Sequence, residues 1–228
     1  MALIAPSLLA ADFSRLGAAL HLIKEAGASM VHVDVTDGHF FPDITMGPPV
    51  IQSLRKATDL VLDVHLQIER PERFIADFLD AGADRLAVHL EGTLPLANVL
   101  KLIRGRGALA GVAINPSTPV GAVSEVLGDI DFLTILASES RPDAPSQNKL
   151  ARTLARLRQA SQAREDGRHN FALQVEGCGV GFENLNELAL AGADILVTDS
   201  DISQDGSARE YLAETIRRAA APRQVSKV

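Results

Sequence analysis

The sequence predicts an α/β fold, a (β/α)8 TIM barrel. Three observations support this. Eight short aliphatic runs recur along the 228 residues. The stretches between them show helical spacing, and one helix-cap-strand unit is used three times. Strict alternation of strand and helix gives a parallel sheet, and eight such units close most naturally as a barrel. The competing architecture, an open doubly wound sheet, is disfavoured because no Gly-rich dinucleotide fingerprint follows the first run.

The elements follow in order. The first strand is LIAPS (3–7). Behind Asp12 as N-cap, Leu16, Leu20 and Ile23 recur at helical spacing in DFSRLGAALHLIKEAG. The second strand is MVHVDV (30–35), after which Pro48-Pro49 starts a helix, a position where proline is tolerated. LVLDVHL (60–66), RLAVHL (85–90), LAGVAIN (109–115), FLTILA (132–137), FALQVE (171–176) and DILVT (194–198) complete the set. Each is short and rich in aliphatic residues, as expected of strands buried on both faces. Ala26-Gly27-Ala28, Ala81-Gly82-Ala83 and Ala191-Gly192-Ala193 each precede a strand. There glycine ends a helix in a left-handed cap, and the repetition marks a modular array. A single barrel domain is expected over 1–221, with PRQVSKV (222–228) as a polar tail.

Composition narrows the function. Net charge is −7, so affinity for a phosphate backbone is disfavoured and nucleic acid is not an expected partner. The lone Cys178 excludes a disulfide framework and a four-cysteine zinc site. The N-terminal stretch lacks a basic n-region, and no apolar run nears the ~20 residues that span a bilayer. A cytoplasmic protein without a membrane partner is expected.

Chemistry concentrates at the C-terminal ends of the strands, where barrel active sites sit. His32 and Asp34 lie two apart on one strand and share a face. His65 ends the third strand, His89 and Glu91 the fourth, and Glu176 the seventh. Imidazoles and carboxylates converging on one barrel mouth suit a divalent metal. His89 and Glu91 read either as ligands or as partners that orient the ligands. His39, after the Asp37-Gly38 turn, is as readily structural as functional, and Asn115-Pro116 reads as a turn device. Cys178 reads as a small buried hydrophobe rather than a nucleophile. None of the eight strands contains a lysine, which counts against an aldolase-like barrel.

These stretches resemble the ribulose-phosphate 3-epimerase family over nearly the whole chain: IAPSLLAADF (4–13), HVDVTDGHFFP (32–42), ITMGPPV (44–50), DVHLQIERPERFI (63–75), INPSTPV (114–120) and VEGCGV (175–180). The resemblance implies a metal-dependent barrel of the ribulose-phosphate-binding type that inverts C3 of a ketopentose phosphate. It makes His32, Asp34 and His65 ligands to one divalent ion, Zn or Fe, with Mn or Co as alternatives. Asp34 becomes one acid/base group. Glu176, where the family has Asp, becomes the other and a fourth ligand. Ser7 matches a serine that holds the substrate or the attacking carboxylate. A homo-oligomer acting on a sugar or sugar phosphate is implied as well. The chemistry agrees, since epimerisation beside a carbonyl needs two carboxyl groups on opposite sides of a planar enediolate.

The sequence departs from the family pattern at the site. Family methionines are replaced by Thr36, Gln67 and Leu136. Thr36, Gln67 and His65 are expected to line the substrate space. At the phosphate end the Gly-rich loop after the sixth strand becomes Glu139–Ala144, with Arg141 as its cation. Paired glycines after the seventh strand become Gly177-Cys178, and a Gly-Ser pair after the eighth becomes Asp199-Ser200, followed by Asp201. A carboxylate ~4 Å from a phosphate costs about 4 kcal/mol even at an effective dielectric near 20. Two expectations follow: an epimerase, or a relative that is catalytically silent or takes a non-phosphorylated substrate. Asp199–Asp201 alternatively cap the next helix.

Overall fold

The computed structural model describes residues 1–138, 149–177, 179–199, 202 and 206–221. Eight strands form one parallel sheet: β1 (Leu3–Pro6), β2 (Met30–Thr36), β3 (Val61–Gln67), β4 (Arg85–His89), β5 (Leu109–Ile114), β6 (Phe132–Leu136), β7 (Ala172–Glu176) and β8 (Ile195–Thr198). Their order is β1-β8-β7-β6-β5-β4-β3-β2. A parallel bridge between Ser7 and His32 joins the two ends and closes the ring. Every predicted strand is present, with bounds differing by a residue or two.

The crossovers are α1 (Leu16–Glu25), α2 (Pro48–Ala57), α3 (Ile75–Asp80), α4 (Leu96–Gly105), α5 (Lys149–Asp166), α6 (Leu185–Leu190) and α7 (Gly206–Ala220). Between β5 and β6 the chain instead forms a 3₁₀ helix, Val120–Val126. Pro119 as its N-cap, Gly121 within it and three valines disfavour α geometry there. Asp12 caps as expected, accepting the Ser14 N–H at 2.9 Å, but it caps a short 3₁₀ turn that leads into α1. The repeated glycines end their helices as the repeat predicts. Gly27, Gly82 and Gly192 have φ of 94°, 106° and 114°. In each case the following alanine N–H bonds back five residues, as Ala28 does to the Ile23 carbonyl at 3.2 Å.

Alternate strand residues face outward and form the main core. Val31, Val33, Leu62, Val64, Leu66, Leu86, Val88, Val112, Leu133, Ile135, Leu173, Val175 and Leu196 are fully buried against the helices. The inward-facing residues are layered. At the N-terminal end Ala5, Met30, Ile195 and Val197 form an apolar plug. Above it Arg85 Nε donates to Asp63 Oδ1 at 2.7 Å, and its Nη2 donates to Gln174 Oε1 at 2.8 Å. Gln174 Nε2 donates to Asp63 Oδ2 at 3.0 Å. The Arg85 guanidinium lies 3.9 Å over the Phe132 ring. Gly111 makes room for that ring, since a Cβ there would sit 2.2 Å from Phe132 Cζ. The floor of the site is therefore a closed polar layer on an apolar base. No helix among the described residues is long and apolar enough to cross a membrane.

Candidate metal centre and active site

β2, β3 and β7 bring four side chains together at the C-terminal end of the barrel. His32 Nε2 lies 3.2 Å from Asp34 Oδ1 and 3.3 Å from Glu176 Oε2. His65 Nδ1 lies 2.9 Å from Glu176 Oε2 and 3.5 Å from Asp34 Oδ1. One ligating atom from each of the four lies within 4.8 Å of all the others, and all four residues are buried.

Outer partners set which atoms face the cluster. His32 Nδ1 is 2.8 Å from Asp63 Oδ2. An ionised carboxylate keeps the proton on that nitrogen and leaves Nε2 to ligate. His65 Nε2 is 3.0 Å from His89 Nε2, and His89 Nδ1 is 3.1 Å from Glu91 Oε2. Burial lowers the His89 pKa, so this ring is neutral. It accepts the His65 Nε2–H and donates its own N–H to Glu91, leaving His65 Nδ1 for the cluster. Burial resists the charge on Glu91, but the His89 bond, the Thr118 hydroxyl and the Asn115 N–H bring it down to about 2. Ser7 Oγ donates to Asp34 Oδ2 at 3.0 Å.

The cluster is built to hold two positive charges. Burial works against charge on His65, yet Glu176 and Asp34 outweigh it and lift this imidazole to about 9. Burial likewise opposes charge on His32, and Asp34 and Glu176 raise it well above its ordinary value. Asp34 is held well below the carboxylate range by His32 and His65 despite its burial. Glu176 is lowered too, with His65 and His32 overcoming burial and repulsion from Asp34. Two imidazolium protons therefore balance two carboxylates. One divalent cation in their place, with neutral imidazoles, leaves the same net charge. The donor set, two nitrogens and two carboxylates, fits such an ion.

Other predicted residues divide. Gln67 joins the centre, its Nε2 2.9 Å from Asp34 Oδ1 and 3.2 Å from Glu176 Oε1. Thr36 instead engages the next loop: its N–H and hydroxyl donate to Thr45 Oγ1 at 3.0 and 3.3 Å. Leu136 is buried beside Phe41 and Ala113. Gly177 has φ 70°, and its carbonyl accepts from Ser138 Oγ at 3.1 Å, tying the loops after β6 and β7. Asp199 is exposed at the end of β8. The protein crowding its carboxyl, and then repulsion from Glu176 and Asp34, push it up to about 6. His39 is exposed in the turn after β2, its N–H bonded to Asp37 Oδ1 at 2.9 Å. Arg141, Cys178, Ser200 and Asp201 lie outside the described residues.

Several supporting residues escaped the sequence reading. Asp63 and Arg85 share the inward face of their strands with His65 and His89, two and four residues on. That spacing was the available signal. Asp37 Oδ2 accepts the Glu69 N–H at 2.8 Å and fastens the β2 loop to the β3 loop. Arg156, from α5, donates to the carbonyls of Leu136 at 2.7 Å and Asn115 at 2.8 Å, bracing the ends of β5 and β6. Nothing local in the sequence marks it.

Solved structures share this architecture. A 3-hexulose-6-phosphate synthase superposes with a TM-score of 0.61 at 19% identity, over 96% of this chain and 98% of that one. A chain of the tryptophan synthase complex from Pyrococcus furiosus gives 0.63 at 15% identity, over 95% and 96%. At such identities they speak for the barrel alone. Sequence relatives say more. Ribulose-phosphate 3-epimerase of Bacillus subtilis (strain 168) is 37% identical over 92% of this chain and 96% of its own length. The enzyme of Treponema pallidum (strain Nichols) is 41% identical over 86% and 89%, and that of Escherichia coli (strain K12) 36% over 93% of both. The family model described as "Ribulose-phosphate 3 epimerase family" matches residues 3–203, which include every residue of the cluster. On that span, and with the barrel mouth arranged as described, the chain belongs to the ribulose-phosphate 3-epimerase family.

Proposed function

We propose that this chain inverts C3 of ribulose 5-phosphate by proton transfer between Asp34 and Glu176. The observation that supports this most is the meeting of these two carboxylates, from strands three places apart round the barrel, on one pair of imidazoles. His32, Asp34, His65 and Glu176 would hold one divalent cation, Zn or Fe. Bound there, it would act as a Lewis acid for negative charge on the substrate oxygens.

Asp34 takes the C3 proton from one face. The C–H electron pair moves into a C2–C3 double bond, and charge passes to the C2 oxygen. For this step Glu176 must carry a proton, which the imidazolium charges of the ion-free site oppose and neutral, cation-bound imidazoles would not; it returns that proton to C3 from the other face, and the reverse reaction exchanges the roles. Ser7 holds Asp34 by Oδ2, so the aspartate swings little during transfer. Gly177 and Asp199 stand at the same end and would face the distal part of the substrate.

The silent-barrel alternative is not favoured: the acid/base pair, the imidazoles and the partners of the imidazoles are all in place. Solvent-deuterium incorporation tests the proposal. With Zn, Fe, Mn or Co supplied, ribulose 5-phosphate gains one deuterium at C3 and free ribulose gains none. Asp34→Asn and Glu176→Gln abolish the exchange. Failure of ribulose 5-phosphate to exchange with all four metals refutes the assignment.

A further inference from the structure

We propose that Gln67 supplies a fifth, oxygen donor to the cation of this centre, its amide turning over as the cation enters. The inference rests on the metal-binding reading above and concerns a side chain outside the four-residue cluster. Gln67 Nε2 lies 2.9 Å from Asp34 Oδ1, 3.2 Å from Glu176 Oε1 and 3.1 Å from His65 Nδ1. The amide nitrogen thus touches three of the four residues of the cluster. Without a cation, its two N–H bonds suit the two carboxylates, and Gln67 does part of a cation's work by bridging Asp34 and Glu176.

A cation gripped by Asp34 Oδ1 and His65 Nδ1 would face those same N–H groups, the positive end of the amide dipole. That contact is repulsive. Gln67 is buried at the end of β3, held by its contacts with Asp34 and Glu176. Rotation about its terminal torsion, which is broad and two-fold, exchanges Nε2 for Oε1 at almost no steric cost. Repulsion becomes ligation while the side chain stays in place.

The consequence is selectivity. Adding a neutral oxygen to two nitrogens and two carboxylates gives a five-donor, oxygen-rich set. Zinc favours four donors, whereas oxygen donors suit manganese. Methionine at this position keeps a similar volume and offers no oxygen.

The test compares wild type with Gln67→Met by competitive titration of Mn2+ and Zn2+. It adds electron–nuclear double resonance on Mn2+-loaded wild type grown with 13C-carboxamide glutamine. The ratio of Mn2+ to Zn2+ affinity is expected to fall roughly tenfold or more in Gln67→Met, at least what loss of an outer partner costs. A 13C coupling to Mn2+ is expected in the wild type, a readout that needs no variant to fold. An unchanged ratio with no 13C coupling overturns the inference. Equal tightening of both metals in Gln67→Met also overturns it, showing an amide that merely competes. If neither metal binds wild type, the metal centre itself fails and Gln67 with it, an outcome distinct from the other two.

Discussion

Asp63→Asn separates the floor of the barrel from the centre it supports. Asp63 carries three buried donors on two oxygens: Arg85 Nε at 2.7 Å on Oδ1, and His32 Nδ1 at 2.8 Å with Gln174 Nε2 at 3.0 Å on Oδ2. Burial opposes its ionisation, but Arg85 and His32 hold the carboxyl far below its ordinary value. Asparagine preserves the shape and keeps one acceptor. If that acceptor stays with Arg85, the new NH2 faces the N–H groups of His32 and Gln174. His32 then moves its proton to Nε2, turning a donor N–H toward the cluster where a lone pair is needed. Loss of such a partner costs about 10–100-fold in metal affinity, or roughly 1.4–2.8 kcal/mol at 1.4 per tenfold. Arg85 also loses its buried counter-charge, at about 3–5 kcal/mol of stability, a large share of the ~5–15 kcal/mol that a folded domain has. Urea unfolding reads the second quantity and metal competition the first, while 15N NMR of His32 reports the tautomer. Unchanged metal affinity with His32 still protonated on Nδ1 would refute the reasoning.

Four further outcomes are expected. Glu176→Asp keeps the carboxyl but withdraws it by one methylene, and a ~1 Å misplacement should lower kcat on the order of a hundredfold; an unchanged kcat would show that the backbone compensates. Metal uptake should release protons, because Glu176 and Asp34 raise both His65 and His32 toward the protonated form; apparent affinity should rise with pH through the neutral range, as read by titration in buffers of different ionisation enthalpy. Asp199 has a raised pKa of about 6, so its charge repels the substrate phosphate above that pH and fades below it; KM for ribulose 5-phosphate should rise as pH climbs through 6, and Asp199→Asn should lower KM and flatten the profile. Gly111→Ala places a Cβ 2.2 Å from Phe132 Cζ and should destabilise by about 1–3 kcal/mol through overpacking, seen as a lowered Tm; an unchanged Tm would mean that the Arg85–Phe132 stack yields freely.

Local pattern made much of this legible. The Ala-Gly-Ala units end helices with glycine at positive φ, a requirement that glycine meets wherever it stands. The period of two along β2 and β3 placed His32, Asp34 and His65 inward, because successive strand side chains alternate faces whatever the neighbours. The exceptions are as local. Pro119 and Gly121 turned one crossover into a 3₁₀ helix, and Thr36 is held by Thr45 of the following loop.

The sequence by itself determined the barrel, the end of it that gathers imidazoles and carboxylates, and the side chains that face inward, since each follows from contacts within a few residues. Only the tertiary structure decided which polar atoms meet. His65 and Glu176 are separated by 111 positions, as are Asp63 and Gln174. Their pairing exists because ring closure brings β3 and β7 to the same height. The charges that lift His65 and the amide that bridges Asp34 to Glu176 arise from that closure. No periodicity encodes them, because a through-space distance across a closed barrel has no signature along the chain.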